Sequence, residues 1–314
     1  MSNGSTFPPP RRRRGTVLLV LAAVALVAVG GWLFWRQAGG HGGPTARDGS
    51  PAPGRTAGSD NGGGSGTGGA PDGSTGHGAT PRPDGKGDPH GSLKGKTVLI
   101  DPGHNPHNSR HTGQIARLVN IGTARKECDT TGTATNDGYP EASFTLDVAR
   151  RVRTLLEHQG AKVVLTQDGD RSYGPCVDER AAIGNKAHAD AAVSIHADGS
   201  AAGNRGFHVI LPARVTAGPA DTTAITGPSR QLGERLADRF RAVTGSSRSN
   251  YVGGGTGLDV RGDLGGLNLS TVPKVFIECG NMRDPKDAAQ LTDGGWRQKA
   301  ARGITEGITD FLTR

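Results

Sequence analysis

Residues 93–314 predict an α/β domain, a twisted and mainly parallel sheet with helices on both faces. Three observations lead there. Short runs of β-branched and aliphatic residues alternate along the chain with longer segments whose apolar residues recur at helical spacing. The strand-like runs are apolar on consecutive positions, as in strands covered on both sides. No internal repeat is present, so one core is expected and not a stacked array.

The first run, Thr97 to Ile100, is halted by Asp101, Pro102 and Gly103, a buried strand running into a tight turn that delivers His104. Asn105 to Pro140 is a long Gly- and Thr-rich excursion, and a loop of that length inside a compact domain is usually functional. Glu141 to His158 places Phe144, Val148, Val152, Leu155 and Leu156 on one helical stripe and stops at Gln159-Gly160. Ala161 to Thr166 then reads as a strand and Val177 to His188 as a helix. Ala191 to Ile195 is a third strand, and it runs into His196-Ala197-Asp198-Gly199. Phe207 to Leu211 reads as a strand, Ser229 to Val243 as an amphipathic helix, and Gly245 to Thr271 as a glycine-rich loop. The strand Val275 to Ile277 ends in Glu278-Cys279-Gly280-Asn281, and a helix from about Gly295 to Leu312 closes the chain.

The head is different. Residues 1–15 carry Arg11 to Arg14, and the 20-residue apolar run Thr16 to Trp35 matches the ~20 residues that cross a bilayer. Residues 16–36 are therefore expected to be a single-pass membrane anchor ending in Trp32, Phe34 and Trp35, with the arginines cytoplasmic; a cleaved secretory signal is the alternative. Both readings export the remainder. Residues 37–92, rich in Gly, Pro, Ser and Thr, cannot bury enough apolar surface to offset the entropy of ordering and read as a disordered linker.

The net charge of +8 raises nucleic acid as a partner, but nine of the 37 basic and only five of the 29 acidic residues lie in residues 1–92. The exported domain is only mildly basic, without interleaved aromatic residues, which excludes a nucleic-acid surface and suits an anionic cell wall. Of three cysteines, Cys128 and Cys176 sit in Gly- and Asp-containing loops and are expected to pair, leaving Cys279 buried at a strand end.

Four polar residues fall where strands end or helices begin: His104, Glu141, His196 and Glu278. Two imidazoles and one carboxylate, with a fourth position for water, are the ligand set of a catalytic zinc, and a second carboxylate can serve as base. Each also has a structural reading, since Glu141 suits a helix N-terminus and Glu278 could be half of an ion pair. The rest of the chemistry-bearing residues are weaker candidates. His107 and His111 lie in the long loop, where Asn105, Pro106 and Asn108 argue against a helix; His208 could contact substrate or support the site. Cys279 has no predicted histidine partner, and Gly253 to Gly257 resembles a phosphate loop only loosely. No His-Glu-x-x-His helix is present.

The segments Ile100-Asp101-Pro102-Gly103-His104, Glu141 heading its helix, Ser194-Ile195-His196-Ala197-Asp198 and Phe276-Ile277-Glu278-Cys279-Gly280-Asn281 together resemble the zinc-dependent N-acetylmuramoyl-L-alanine amidases of the third amidase type, which are peptidoglycan hydrolases. The loop carrying Cys128, with Gly174 to Arg180, is similar to the small actinobacterial members. The resemblance implies about six strands, one Zn2+ held by His104, Glu141 and His196, and Glu278 as catalytic acid/base. It implies cleavage of the bond between the lactyl group of N-acetylmuramic acid and L-alanine of the stem peptide, in peptidoglycan or muropeptides. The catalytic domain is expected to be monomeric. Asp101, Asp198 and Asn281 are expected to support the site or touch substrate. Some relatives carry an inserted helix that plugs the site, but Pro212 to Pro228 has no helical apolar stripe, so an open site is expected. Two rivals remain: a zinc peptidase cutting within the stem peptide, and a wall-binding module without catalysis. With the anchor retained, the protein is expected at the cell membrane with its domain extracytoplasmic; with it cleaved, secreted.

Overall fold

The computed structural model describes residues 92–314. The anchor and linker segments assigned above lie outside the described residues, and no helix among those residues is long and apolar enough to cross a membrane. The chain runs β1 (Thr97–Pro102), a short helix α1 (Thr112–Ile115), a hairpin of β2 (Leu118–Asn120) and β3 (Arg125–Glu127), α2 (Glu141–His158), β4 (Lys162–Leu165), α3 (Val177–Lys186), β5 (Ala191–Asp198) and β6 (His208–Pro212). It continues with a small hairpin of β7 (Thr216–Ala217) and β8 (Ala220–Asp221), then α4 (Thr226–Thr244), β9 (Leu258–Arg261), a helical turn α5 (Gly265–Asn268), β10 (Lys274–Asn281), α6 (Pro285–Thr292) and α7 (Gly294–Leu312).

Six strands form one sheet in the order β4-β1-β5-β10-β6-β9. Neighbours from β4 to β10 are parallel; β6 pairs antiparallel with β10 and parallel with β9. The crossover through α2 places β4 on one side of β1, and the return through α3 places β5 on the other. Strand order thus reverses at β1, and in open sheets the crevice at the carboxyl ends of such strands is where ligands bind.

Because side chains alternate across a strand, each sheet strand contributes to two different interiors. Val98 and Ile100, Val193 and Ile195, Val209 and Leu211, Val275 and Ile277 join the large core, which α2, α4 and α7 cover with residues such as Phe144, Leu236 and Ile304. Fully burying each such side chain contributes about 1.5–3 kcal/mol, so this face carries most of the hydrophobic stabilisation. The opposite positions read Leu99 and Asp101, Ala192, Ser194 and His196, Lys274, Phe276 and Glu278, and His208 and Ile210. This face has only a small apolar cluster, Leu99 with Ala189 and Ala192. The sheet is apolar on one side and increasingly polar on the other toward its carboxyl edge.

Several elements depart from the sequence reading. The expected loop from Gly245 to Thr271 contains β9, whose burial pattern is half-exposed because it is an edge strand with one partner. The loop before α2 contains the β2–β3 hairpin and a 3-10 turn, Asn108–Arg110, where no helical structure was expected. A separate helix, α6, precedes the last one, started by Asp284, whose side chain accepts from the backbone N–H of Lys286 and Asp287, with Pro285 at the first helical position.

Candidate metal centre and active site

His104 stands just past β1 with φ of 61°, left-handed backbone that a non-glycine residue rarely adopts. Its Nδ1 faces Asp129 Oδ1 at 3.2 Å and the Thr130 carbonyl at 3.1 Å. Both are acceptors, so Nδ1 donates on that side, and Nε2 is turned toward Glu141 Oε2, 3.2 Å away. Glu141 is the first residue of α2 and is 4 % exposed. Its carboxylate is held by the backbone N–H groups of Thr133 and Ala197 and meets His196 Nδ1 at 2.9 Å through Oε1. His196, near the end of β5, stacks on Phe276 with ring centroids 5.2 Å apart and planes within 14°.

Close packing fixes these side chains from behind. A Cβ on Gly103 would overlap the His196 ring, and one on Gly132 would come within 2.8 Å of both His104 and Glu141. The three donor atoms lie within 4.8 Å of one another. Burial works against a charge on the His104 ring, but Glu141 and Asp129 outweigh it and raise its pKa from the ordinary 6.5 to about 10. Burial likewise opposes ionisation of Glu141, and the two histidines nevertheless hold it well below the ordinary range. A point that draws a positive charge between one carboxylate and two imidazoles, with room for a further ligand, fits a catalytic zinc.

Glu278 lies on β10 directly opposite His196 on β5 and His208 on β6, on the same face of the sheet. Its Oε2 is buried and without a hydrogen-bond partner among the described residues. Burial first, then the charges of Glu141 and Asp198, push its pKa well above the carboxylate range. Two cavities meet beside the histidines, sharing His104, His196 and Phe276. One of about 430 Å3 is lined by His104, Glu141, His196, Asp198, Arg261 and Glu278, and one of about 480 Å3 by Leu118, Arg125, Lys126, Val177, Leu264 and Phe276.

The structure thus brings together the four residues singled out in the sequence. The lesser candidates separate. Asp198 lines the smaller cavity and accepts from Tyr251 Oη at 2.7 Å. Asp101 is buried among Ser194, Thr166, Arg180 and Lys274 and reaches the histidines only through other residues. Asn281 is committed to the 200–204 loop: Nδ2 donates to the carbonyls of Ser200, Ala201 and Asn204, while Oδ1 accepts from the N–H groups of Ser200 and Arg283. That leaves it no group for substrate. His111 packs on Tyr173, away from the cluster. His208 is buried with Nδ1 unpartnered among the described residues, and burial lowers its pKa. The Cys128–Cys176 disulfide is present, and Cys279 is free and buried. Pro212 to Pro228 forms the β7–β8 hairpin and the start of α4, not an inserted helix. Sequence reading missed Asp129 and Arg180, whose only signals were their places beside Cys128 and in the first turns of α3.

Fold and site together define an α/β hydrolytic enzyme whose donor set could hold a metal ion. Comparison with known proteins makes the class specific. The family model for N-acetylmuramoyl-L-alanine amidase matches residues 98–310, and the chain belongs to that family. It is 40 % identical over 221 residues to the N-acetylmuramoyl-L-alanine amidase Rv3717 of Mycobacterium tuberculosis, covering 70 % of this chain and 88 % of that one. Its fold is similar to the crystal structure of the amidase Ami1 from Mycobacterium smegmatis, with a TM-score of 0.65 and 42 % identity over 70 % of this chain and 98 % of that one. The apo form of Ami1 from Mycobacterium abscessus gives a TM-score of 0.64 at 38 % identity, over 70 % and 100 % of the two chains.

Proposed function

We propose that this amidase cleaves peptidoglycan between the lactyl carbonyl of N-acetylmuramic acid and the amine of L-alanine, with one zinc ion held by His104 Nε2, Glu141 and His196 Nδ1 and with Glu278 as acid/base. The observation that carries the reading is the unpartnered Glu278 Oε2 on the same sheet face as the His–Glu–His cluster. A zinc ion at that position supplies two things, a water pKa lowered toward ~7 and a polarised carbonyl. The chain's own residues do the rest. Asp129 and Thr130 hold the proton on His104 Nδ1, which keeps Nε2 directed inward. Glu278 takes a proton from the attacking water on Oε2 and hands it to the departing nitrogen of L-alanine as the C–N bond breaks. The raised affinity of Glu278 for protons suits the second half of that transfer, because a carboxylate at its ordinary pKa would be a poor acid near neutrality. The two cavities on either side give the glycan and peptide arms separate seats.

Digestion of purified muropeptides is the test. Release of intact stem peptide from the sugar supports the amidase; shortened peptides still attached to sugar would establish a stem-peptide peptidase instead. Chelation should abolish the release and zinc should restore it. Glu278→Gln should lower kcat by about 10²–10⁴-fold, the usual contribution of a general acid/base, while still taking up one equivalent of zinc.

We further propose that residues 16–36 hold the protein in the cell membrane and residues 37–92 tether an extracytoplasmic domain. As a flexible coil that linker would span ~40 Å root-mean-square, which lets a membrane-held enzyme sample nearby wall.

A further inference from the structure

Beneath the cluster lies a buried group of charges for which the proposed chemistry has no direct use. Asp101 is 1 % exposed, Arg180 4 % and Lys274 0 %, and Asp129 completes the set at 6 %. Such burial is expensive for charged groups unless they are paired. Here each has an oppositely charged partner. Asp101 Oδ1 accepts from Arg180 Nη1 at 2.8 Å and from Thr166 Oγ1 at 2.7 Å, and Oδ2 accepts from Lys274 Nζ at 3.0 Å and from Ser194 Oγ. Arg180 goes on to donate from Nη2 to Asp129 Oδ2 at 2.9 Å. Two positive and two negative side chains form one continuous, electrically balanced unit.

Each end of the unit reaches one histidine. At one end Arg180 donates to the carbonyls on both sides of Gly103, Nη1 to Pro102 at 2.7 Å and Nη2 to His104 at 3.0 Å. That grip spans the turn in which His104 adopts its unfavourable left-handed φ, a conformation that persists only where surroundings impose it. Through Asp129, the same arginine also orients the carboxylate that binds His104 Nδ1. At the other end Lys274 Nζ sits 5.7 Å from the centre of the Phe276 ring. Phe276 in turn lies flat against His196. Lys274 and Phe276 are alternate residues of β10 and project from the same face of the sheet as His196.

We infer that the buried quartet Asp101, Asp129, Arg180 and Lys274 positions the two histidines of the metal centre, His104 through Arg180 and Asp129, and His196 through Lys274 and the ring of Phe276. The inference rests on the reading of His104, Glu141 and His196 as zinc ligands. These are positioning residues, since none of the four is a donor to the metal. A quartet serving stability alone would have no need to grip both carbonyls of the His104 turn or to abut the ring stacked on His196. Its removal would then cost folding free energy and leave zinc affinity unchanged.

The test separates those roles by measuring zinc affinity against a competing chelator, alongside thermal unfolding of each metal-free protein. Asp129→Asn keeps the side-chain shape but can present an N–H to His104 Nδ1. Phe276→Leu keeps the quartet whole and removes the ring between Lys274 and His196. Each is expected to weaken zinc binding tenfold or more, the usual effect of losing a group that orients a metal-bound histidine, in a protein that still folds cooperatively. Arg180→Lys, which keeps the charge and loses the fork, should weaken it at least as much. In zinc-loaded wild-type protein the imidazole nitrogen resonances of His104 should report a proton on Nδ1, and in Asp129→Asn that signature should change. Zinc affinities within twofold of wild type in Asp129→Asn and Phe276→Leu would overturn the inference while leaving the metal centre standing. Wild-type protein that takes up no zinc, or a His104→Ala variant that binds it as tightly, would overturn the metal centre and the inference with it.

Discussion

At the scale of single residues, the site is built from groups whose ordinary ionisation has been moved by their neighbours. Asp101 shows how this bears on stability. Burial alone would raise its pKa, but Lys274, Arg180, Ser194 and Thr166 hold it far below the ordinary value of 3.8. The native carboxylate therefore stays ionised in acid where the unfolded chain has already taken up a proton. Its contribution is present in full above the unfolded value of about 4 and is lost progressively as the pH falls below it. Urea midpoints followed from pH 6 to pH 2 should fall steeply below about pH 4. Asp101→Asn should flatten part of that fall. At neutral pH it should cost about 3–5 kcal/mol, because Arg180 and Lys274 are left buried with one partner fewer. The four residues at the heart of the site were legible in the sequence because each follows an apolar strand run or begins a helix. Asp129 and Arg180 were not, because they act through contacts 25 and 76 residues away in the chain, to His104, which no local pattern announces.

Between elements, α4 packs closely against α7, where glycines replace side chains at the crossing. A Cβ on Gly307 would stand 2.7 Å from the Leu236 Cα, and one on Gly303 2.9 Å from the Phe240 Cα. Alanine is a better helix former than glycine by about 1 kcal/mol, so propensity alone predicts that Gly307→Ala stabilises α7. Steric overlap with backbone should win instead, for a net loss of about 1–3 kcal/mol, read as a lower urea midpoint with zinc affinity unchanged. The disulfide acts at this same scale. Cys128 precedes Asp129, Cys176 caps α3, and the Val177 N–H donates to the Cys128 carbonyl at 2.8 Å. The bridge joins residues 48 apart in the chain, and on the chain-entropy model opening it should cost about 4 kcal/mol. Denaturation with and without a reductant measures that difference. The long helices were readable because their stripes are continuous. The edge strand β9 was not: with one neighbour and half-exposed residues it lacks the apolar run that marks the inner strands. For α6 the Asp284-Pro285 start signal was present, but its eight residues carry too short a stripe to stand apart from α7.

For the whole molecule the informative property is how charge and hydrophobicity are divided along the chain. The 20-residue apolar run and its four preceding arginines lie at one end, the Gly-rich stretch follows, and a mildly basic domain of the amidase family occupies the rest. A retained anchor would keep the domain at the wall just outside the membrane, whereas a cleaved signal would release it. The anchor and the cleaved signal make opposite forecasts for where the full chain resides. If residues 16–36 are retained, full-length protein expressed in its own cells should sediment with membranes, resist extraction by high salt and alkaline carbonate, and be released by detergent, because ~20 buried apolar residues hold a chain effectively irreversibly. N-terminal sequencing should then find the chain intact ahead of Thr16. Protein recovered from the medium with a new N-terminus after Trp35 would establish secretion, and the tether would then limit no reach at all.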